Sequence, residues 1–286
     1  MFGRRFEEKI DAILVFVLLV YSFFLHRGYF YPGIMTKGDW DFHFKEEMIS
    51  WFFKPCAWLP EISTSAMKTM WLTFYPIAIT YGFFAKILSF DFGIVERILF
   101  FFPASFLPAI SMYYLTRYLF KRREVCLFSA ILYSSNTYIL LSSITHLTVA
   151  MAYSLTPLII AFFIQSLHEK SLRKSVLASV VFTISMAYEA RITYITAATL
   201  VLYLLHDILL HTVLKRDFSE FLRSLKMFII FMVASIALSA YWILPFILGG
   251  GREAFASRLP SKPWICLLYT SPSPRDLSTS RMPSSA

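Results

Sequence analysis

The most chemically active stretch of the sequence is residues 37–47, KGDWDFHFKEE, which follows shortly after an apolar segment. A carboxylate near a membrane surface, partly desolvated by aromatic neighbours, can act as a general base. Asp39 and Asp41 are therefore candidate bases. Asp39 equally fits a helix N-cap, and a helix starting here would align it with His43, four residues on. These three side chains include metal-ligand types, but their spacing is not specific, so we predict no metal ligands and leave a divalent metal open.

A second candidate group is Tyr188-Glu189-Ala190-Arg191, which falls between two apolar stretches. The planar guanidinium of Arg191 matches phosphate oxygens and could bind a lipid phosphate. The alternative is that Arg191 pairs with Glu189 or contacts a lipid headgroup. Both interpretations place the group at a membrane surface.

The composition indicates lipid as the solvent of this protein. Of 286 residues, 57% are hydrophobic and 16% are charged, and the mean hydropathy is +0.61. Soluble domains carry about a quarter charged residues. The net charge of +9 comes without a basic stripe on a polar segment, so we predict membrane lipid and no nucleic acid as a partner. Nucleotide-binding and zincin motifs are absent, and Cys56, Cys126 and Cys266 show no metal or disulfide spacing.

Apolar stretches that approach the roughly 20 residues of a membrane-crossing helix recur along the chain. They lie at 10–26, 72–90, 96–119, 125–143, 148–167, 175–190, 192–212 and 227–248. If all of them crossed, Lys121-Arg122-Arg123 would face outside, against the positive-inside rule. Placing 72–90 on the membrane surface, or as a re-entrant segment, brings the short basic linkers to the cytoplasm. Pro76, Gly82 and Lys86 also suit an interfacial element.

We therefore predict an all-α, polytopic transmembrane bundle of about seven crossings in a cell membrane, with a cytoplasmic N-terminus. Residues 28–95 become a long extracytoplasmic loop that carries interfacial helices. Loops of this length commonly carry function.

The chain ends in a stretch of different composition. Residues 266–286 are rich in Ser and Pro and lack periodicity, which is typical of a disordered tail. They also resemble a translated sequencing-adapter read-through. We treat 1–265 as one transmembrane domain, expect the native protein to continue beyond it, and assign no function to 266–286.

The order of features along the chain resembles a known membrane family. An apolar first helix leads to the acidic stretch, then to Trp51–Pro55 and Tyr75–Tyr81. Gly93–Leu99 then enters a helix that ends in YLTRYLFKRR. This order looks like the N-terminal half of GT-C superfamily glycosyltransferases, most closely the dolichyl-phosphate-mannose-type and YfhO-like membrane proteins. The resemblance covers about residues 1–250 and rests on order and topology more than on identical strings.

The resemblance implies transfer of a hexose or pentose from a polyprenyl-phosphate donor to an acceptor on the extracytoplasmic face. An acidic residue in the first external loop would be the base or position the acceptor, a role that falls on Asp39 or Asp41. Candidate substrate-binding residues are Arg191, His43, Tyr75 and Glu189. The sequence departs from the family in its Asp-Trp-Asp string and in the single proline of its Tyr-Pro element.

Two other interpretations stay open. Transporters and lipid flippases place ionisable residues at the bilayer midplane, where this sequence shows little charge. A non-catalytic membrane protein that binds lipid-linked sugar, or a scaffold, would need neither the base nor turnover.

Overall fold

The computed structural model describes residues 2–31, 49, 72–210 and 218–248, and this part of the chain is helical without any strand. The predicted all-α class is confirmed for these residues. The α-helices are α1 (Phe2–Leu25), α2 (Tyr75–Gly82), α3 (Phe92–Glu96), α4 (Phe102–Leu119), α5 (Arg123–Ser135), α6 (Thr137–Thr145), α7 (Leu147–His168), α8 (Leu172–Tyr188), α9 (Ala190–Leu209) and α10 (Phe218–Leu248). Short π-helical segments, Phe83–Ile87 and Arg97–Phe101, extend α2 and join α3 to α4.

Several helices are long and apolar enough to cross a membrane, which supports the predicted membrane protein. In the described residues there are four, namely Phe92–Leu119, Leu147–His168, Ala190–Leu209 and Phe221–Leu248. A fifth arises if α5 and α6 count as one span with a 42° bend. Leu72–Ile87 is apolar but too short for an ordinary crossing.

Polar caps set the breaks between the apolar stretches. Asn136 interrupts what the sequence suggested was one helix over 125–143, because its side chain accepts a hydrogen bond from the Ile139 amide at 3.1 Å. Its amide group also donates to the Tyr133 carbonyl oxygen at 2.8 Å and to the Tyr153 hydroxyl at 2.9 Å. Asn136 thus ends α5, starts α6 and ties both to α7.

α7 is the central helix of the bundle and packs against α4, α6, α8 and α9. Small residues on α7, including Ala150, Ala152 and Ala161, are completely buried and let neighbouring helices approach closely. One close contact is polar: the Ser111 hydroxyl of α4 donates to the Ser154 carbonyl of α7 at 2.7 Å.

The bundle has two ends, which we name after their charged clusters. The Glu189 end holds Glu189 and His146, together with Tyr29, whose hydroxyl donates to the Ser143 carbonyl. The Asp11 end lies opposite. Because α1 begins at the Asp11 end and finishes near Tyr29, the chain leaves α1 at the Glu189 end.

The partly buried carboxylate of Asp11 joins α1 to α4 and α5. We name this cluster the Asp11 clamp. Asp11 accepts hydrogen bonds from the Tyr113 hydroxyl at 2.9 Å and from Arg117 Nε at 3.2 Å, both on α4. Arg123 Nε of α5 adds a third contact at 2.9 Å. The clamp sets the position of α1, and therefore the point from which the first loop starts.

Candidate functional site

Glu189 and Arg191 form an ion pair at the junction of α8 and α9. Arg191 Nε lies 2.7 Å from Glu189 Oε1, and Arg191 Nη2 lies 3.1 Å from Oε2, so the pair is bidentate. The same carboxylate accepts a hydrogen bond from the Arg191 backbone amide at 3.3 Å and caps α9. The Glu189 carboxylate therefore caps the start of α9 and also fixes the orientation of the Arg191 guanidinium.

The environment keeps Glu189 ionised. Burial alone would raise the pKa of its carboxyl, but the hydrogen bonds and charge of Arg191 lower the pKa below its ordinary value. His146, at the junction of α6 and α7, acts in the same direction when it is charged. Three groups that can carry charge thus meet at this end of the bundle.

The pair leaves the arginine accessible to a ligand. The Arg191 side chain is 78% exposed, whereas that of Glu189 is only 14% exposed. An incoming phosphate could approach the exposed edge of the guanidinium, whose orientation is already fixed. Because Glu189 neutralises much of the positive charge, an anion binds here more weakly than it would to an unpaired arginine.

A carboxylate and a phenol lie buried beneath this surface. Glu96 and Tyr81 are both completely buried. Phe92, Glu96 and Phe100 repeat every four residues and so share one helix face. The Tyr81 ring stacks on both phenylalanines, with centroid distances of 4.9 and 4.6 Å, which places it over Glu96. Within the part of the chain that the structure describes, the Tyr81 hydroxyl has no hydrogen-bond partner.

Tyr188 connects the buried group with the surface pair. It is the last residue of α8 and precedes Glu189 directly. Its ring stands edge-on to Phe100, with centroids 6.1 Å apart. Ionisable and hydroxyl side chains thus continue from Arg191 inward to Glu96, and a buried carboxylate at such depth commonly marks function in membrane proteins.

The structure brings together some of the residues singled out in the sequence. Arg191 and Glu189 are in direct contact, as the alternative interpretation of that motif expected. Tyr75 is half-buried at the start of α2 and packs against the main apolar core. Asp39, Asp41 and His43 lie outside the described residues, so their roles stay predictions.

Sequence reasoning missed Glu96 and Tyr81. Glu96 is the first residue of the predicted apolar stretch 96–119 and lies in the Gly93–Leu99 string of the family resemblance, where it was given no role of its own. The available signal was the Phe-x-x-x-Glu-x-x-x-Phe spacing, which surrounds the acid with rings on one helix face. Such spacing puts a carboxylate inside a core rather than at a surface.

Neither a candidate metal site nor a known relative indicates the chemistry at the Glu189 end. In the described ranges, no group of three or more His, Cys, Asp or Glu side chains could hold a metal ion. Comparison of the chain with models of protein families, with curated proteins and with solved structures finds no match.

Proposed function

We propose that the protein is a membrane glycosyltransferase of the GT-C type, which uses a polyprenyl-phosphate sugar at the Glu189 end. The observation that carries this proposal is the exposed, pre-oriented guanidinium of Arg191 at the end where the acidic first loop begins. A phosphate group on a lipid would meet Arg191 at the membrane surface. The sugar attached to it would then lie near the acids of the loop.

Chain length supports the approach of Asp39 and Asp41 to this end. Tyr31 is held there, since its carbonyl accepts a hydrogen bond from Arg97. Asp39 follows eight residues later, and a fully extended chain covers at most about 3.6 Å per residue, or about 29 Å in all. The acidic motif is therefore tethered, through Tyr31, to the end of the bundle that carries the Arg191 pair.

The proposed reaction breaks the bond between the sugar anomeric carbon and the phosphate oxygen. The acceptor hydroxyl forms the new bond to that carbon, its proton passes to Asp39 or Asp41, and the polyprenyl phosphate leaves with the electron pair. Arg191 stabilises the charge that grows on the leaving phosphate. Positioning of donor and acceptor supplies much of the remaining acceleration.

The proposed topology has seven crossings with the Glu189 end outside. The proposal counts the four long apolar helices and the bent α5–α6 pair as five crossings, and adds α1 and α8 as the sixth and seventh. Basic linkers at the Asp11 end, including Lys121-Arg122-Arg123 and Arg173-Lys174, fit a cytoplasmic position. Reporter fusions after residue 121 and after residue 146 test this, and cytoplasmic reporter activity after residue 146 would contradict it.

The donor site is tested with purified protein and radiolabelled polyprenyl-phosphate sugars. We expect Arg191→Ala to raise the KM for donor about tenfold or more, because a charged hydrogen bond to phosphate is lost. Arg191→Lys keeps the positive charge but loses the bidentate geometry of the guanidinium, so its KM for donor should lie between those of wild type and Arg191→Ala. Arg173→Ala, an exposed cation at the opposite end, is the matched control. Equal effects of the Arg191 and Arg173 changes would refute the donor site.

A transporter is the second candidate, and two buried acids favour it. Glu96 is completely buried and Asp207 is 6% exposed, and each lies within about one turn of the end of an apolar helix, Phe92–Leu119 and Ala190–Leu209. Buried acids on apolar helices are common in ion and proton pathways. Proteoliposomes that contain only this protein would then move a lipid-linked or soluble substrate across the membrane, and Glu96→Gln would abolish the flux. Turnover of donor without any flux would exclude the transporter.

A further inference from the structure

A ladder of hydroxyl groups joins α8 to α10. The Ser175 hydroxyl donates to the Met227 carbonyl at 2.9 Å. The Ser179 hydroxyl lies 2.9 Å from the Phe231 carbonyl and 3.0 Å from the Ser175 carbonyl of its own helix, so its proton is shared between the two acceptors. Both partners advance by four residues, so the two helices run parallel and in register. We name these contacts the first and second rungs.

The third rung of this ladder is open. Four residues further on, the register pairs Thr183 with Ser235, and neither buried hydroxyl has a hydrogen-bond partner among the described residues. Serines elsewhere in these helices usually bond a carbonyl of the preceding turn, as Ser134 does with Ala130 at 2.8 Å. Leaving a buried hydroxyl unpaired costs about 1–3 kcal/mol. The hydrogen-bonded ladder therefore stops after the second rung.

A cavity of about 290 Å³ opens at the same level. Phe182 and Met186 of α8 line one wall, and Ser235, Ser239 and Trp242 of α10 line another. Tyr194, Val201 and Ile236 also line it and are exposed on the surface of the bundle. The cavity is therefore apolar and faces the hydrocarbon of a surrounding membrane.

We propose that the third rung is a lateral gate, which closes when Thr183 bonds Ser235 and thereby shuts the cavity. In the structure the gate is open. Closure satisfies both hydroxyls and brings the two helices together as at the first two rungs. An open gate admits a lipid chain between α8 and α10, and a closed gate excludes it.

The gate is placed to affect the Glu189 end. Thr183 lies six residues before Glu189, less than two helical turns along α8. A shift of α8 at the third rung therefore moves the carboxylate that orients Arg191. The inference does not depend on glycosyl transfer, because its test measures only helix separation and lipid access.

The test combines a crosslink with fluorescence quenching. The variant carries Thr183→Cys and Ser235→Cys, with the native cysteines replaced by Ala and a protease site inserted between residues 213 and 214. Trp242 is kept as the sole tryptophan, and the other tryptophans (40, 51, 58, 71 and 264) become Phe. After protease treatment, a disulfide keeps the two fragments together on a non-reducing gel. Trp242 fluorescence is measured in bilayers of phosphatidylcholine with brominated chains, before and after reduction.

We expect the disulfide to form in folded protein, since closure brings the two Cα atoms within the roughly 7 Å that a disulfide allows. The oxidised protein should lose most of the quenching by brominated chains, and reduction should restore it. The matched control, Ser235→Cys alone, should respond to neither oxidant nor reductant. Absence of the disulfide in a monodisperse protein would overturn the gate. So would a disulfide that leaves quenching unchanged, because the rung would then not control the cavity.

Discussion

The Asp11 clamp gives the sharpest stability prediction, for the change Asp11→Asn. The carboxylate holds Tyr113, Arg117 and Arg123, with contacts between 2.9 and 3.2 Å. Asparagine keeps one acceptor oxygen but loses the negative charge. Both arginines then lie beside a neutral group and each other.

The expected loss follows from the exposure of the clamp. The side chains of Asp11, Arg117 and Arg123 are each about a quarter exposed. The stabilisation that their ion pairs contribute should therefore lie between the values for surface pairs and for buried pairs. Exposed pairs contribute about 0.2–1 kcal/mol and hydrogen bonds to charged groups about 1.5–3 kcal/mol. We therefore expect a loss of about 2 kcal/mol, which corresponds to a fall in melting temperature of about 3 °C for a chain of this size.

The assay is thermal unfolding of the detergent-purified protein, followed by intrinsic fluorescence. Glu124→Gln is the matched control, because it removes an exposed acid from the first turn of α5. Surface changes of this kind stay within about 0.5 kcal/mol. If Asp11→Asn melts within about 1 °C of the unchanged protein, which corresponds to less than about 0.6 kcal/mol for a chain of this size, the clamp does not hold α1.

Three further predictions concern single polar groups. The pKa of Glu189 is lowered in the folded state, so its ion pair stabilises the protein above the ordinary pKa of 4.5, and this stability is lost as the pH falls through the lower, folded value. Wild type should therefore melt above Glu189→Gln by a difference worth about 1 kcal/mol at neutral pH, and the difference should vanish in acid. A difference that does not change with pH would contradict this. Tyr81→Phe should leave the free energy of unfolding unchanged, whereas Tyr29→Phe should lower it by about 1 kcal/mol, because of these two described hydroxyls the one of Tyr29 is hydrogen-bonded. The reverse order in thermal melts would refute the description of the buried Tyr81 and Glu96 group. Ser179→Ala should likewise cost about 1 kcal/mol by removing the second rung, and an unchanged melting temperature would show that the rung contributes nothing.

The helical class and much of the helix order could be predicted from the sequence. Long apolar stretches separated by short polar linkers allow little else, because an unpaired backbone cannot lie in lipid. The break at Asn136 could not be placed. Its effect depends on a hydrogen bond to the Tyr153 hydroxyl, a partner on another helix that local pattern does not reveal.

The candidate site was predicted only in part. The Glu189–Arg191 contact was one of the alternatives that the sequence left open. Its bidentate form depends on Glu189 being the extended N-cap of α9, which directs the carboxylate back onto the first turn where Arg191 lies. Burial of Glu96 beneath Tyr81 required knowing that the Leu72–Ile87 segment folds back onto α3. The Phe-x-x-x-Glu-x-x-x-Phe spacing signals that rings flank the acid on one helix face, but which segment covers that face is a tertiary property that the local spacing does not encode.

The most direct test of the proposed function compares sugar release by wild type, Asp39→Ala and Asp41→Ala. Each purified protein is incubated with radiolabelled polyprenyl-phosphate sugars and an acceptor-containing membrane extract, and folding is checked by thermal unfolding. We expect release by the wild type and its loss, by about a hundredfold or more, in the variant that lacks the base. Release that persists in both folded variants would contradict the assignment of the base, and no release by the folded wild type from any donor would contradict the glycosyltransferase itself.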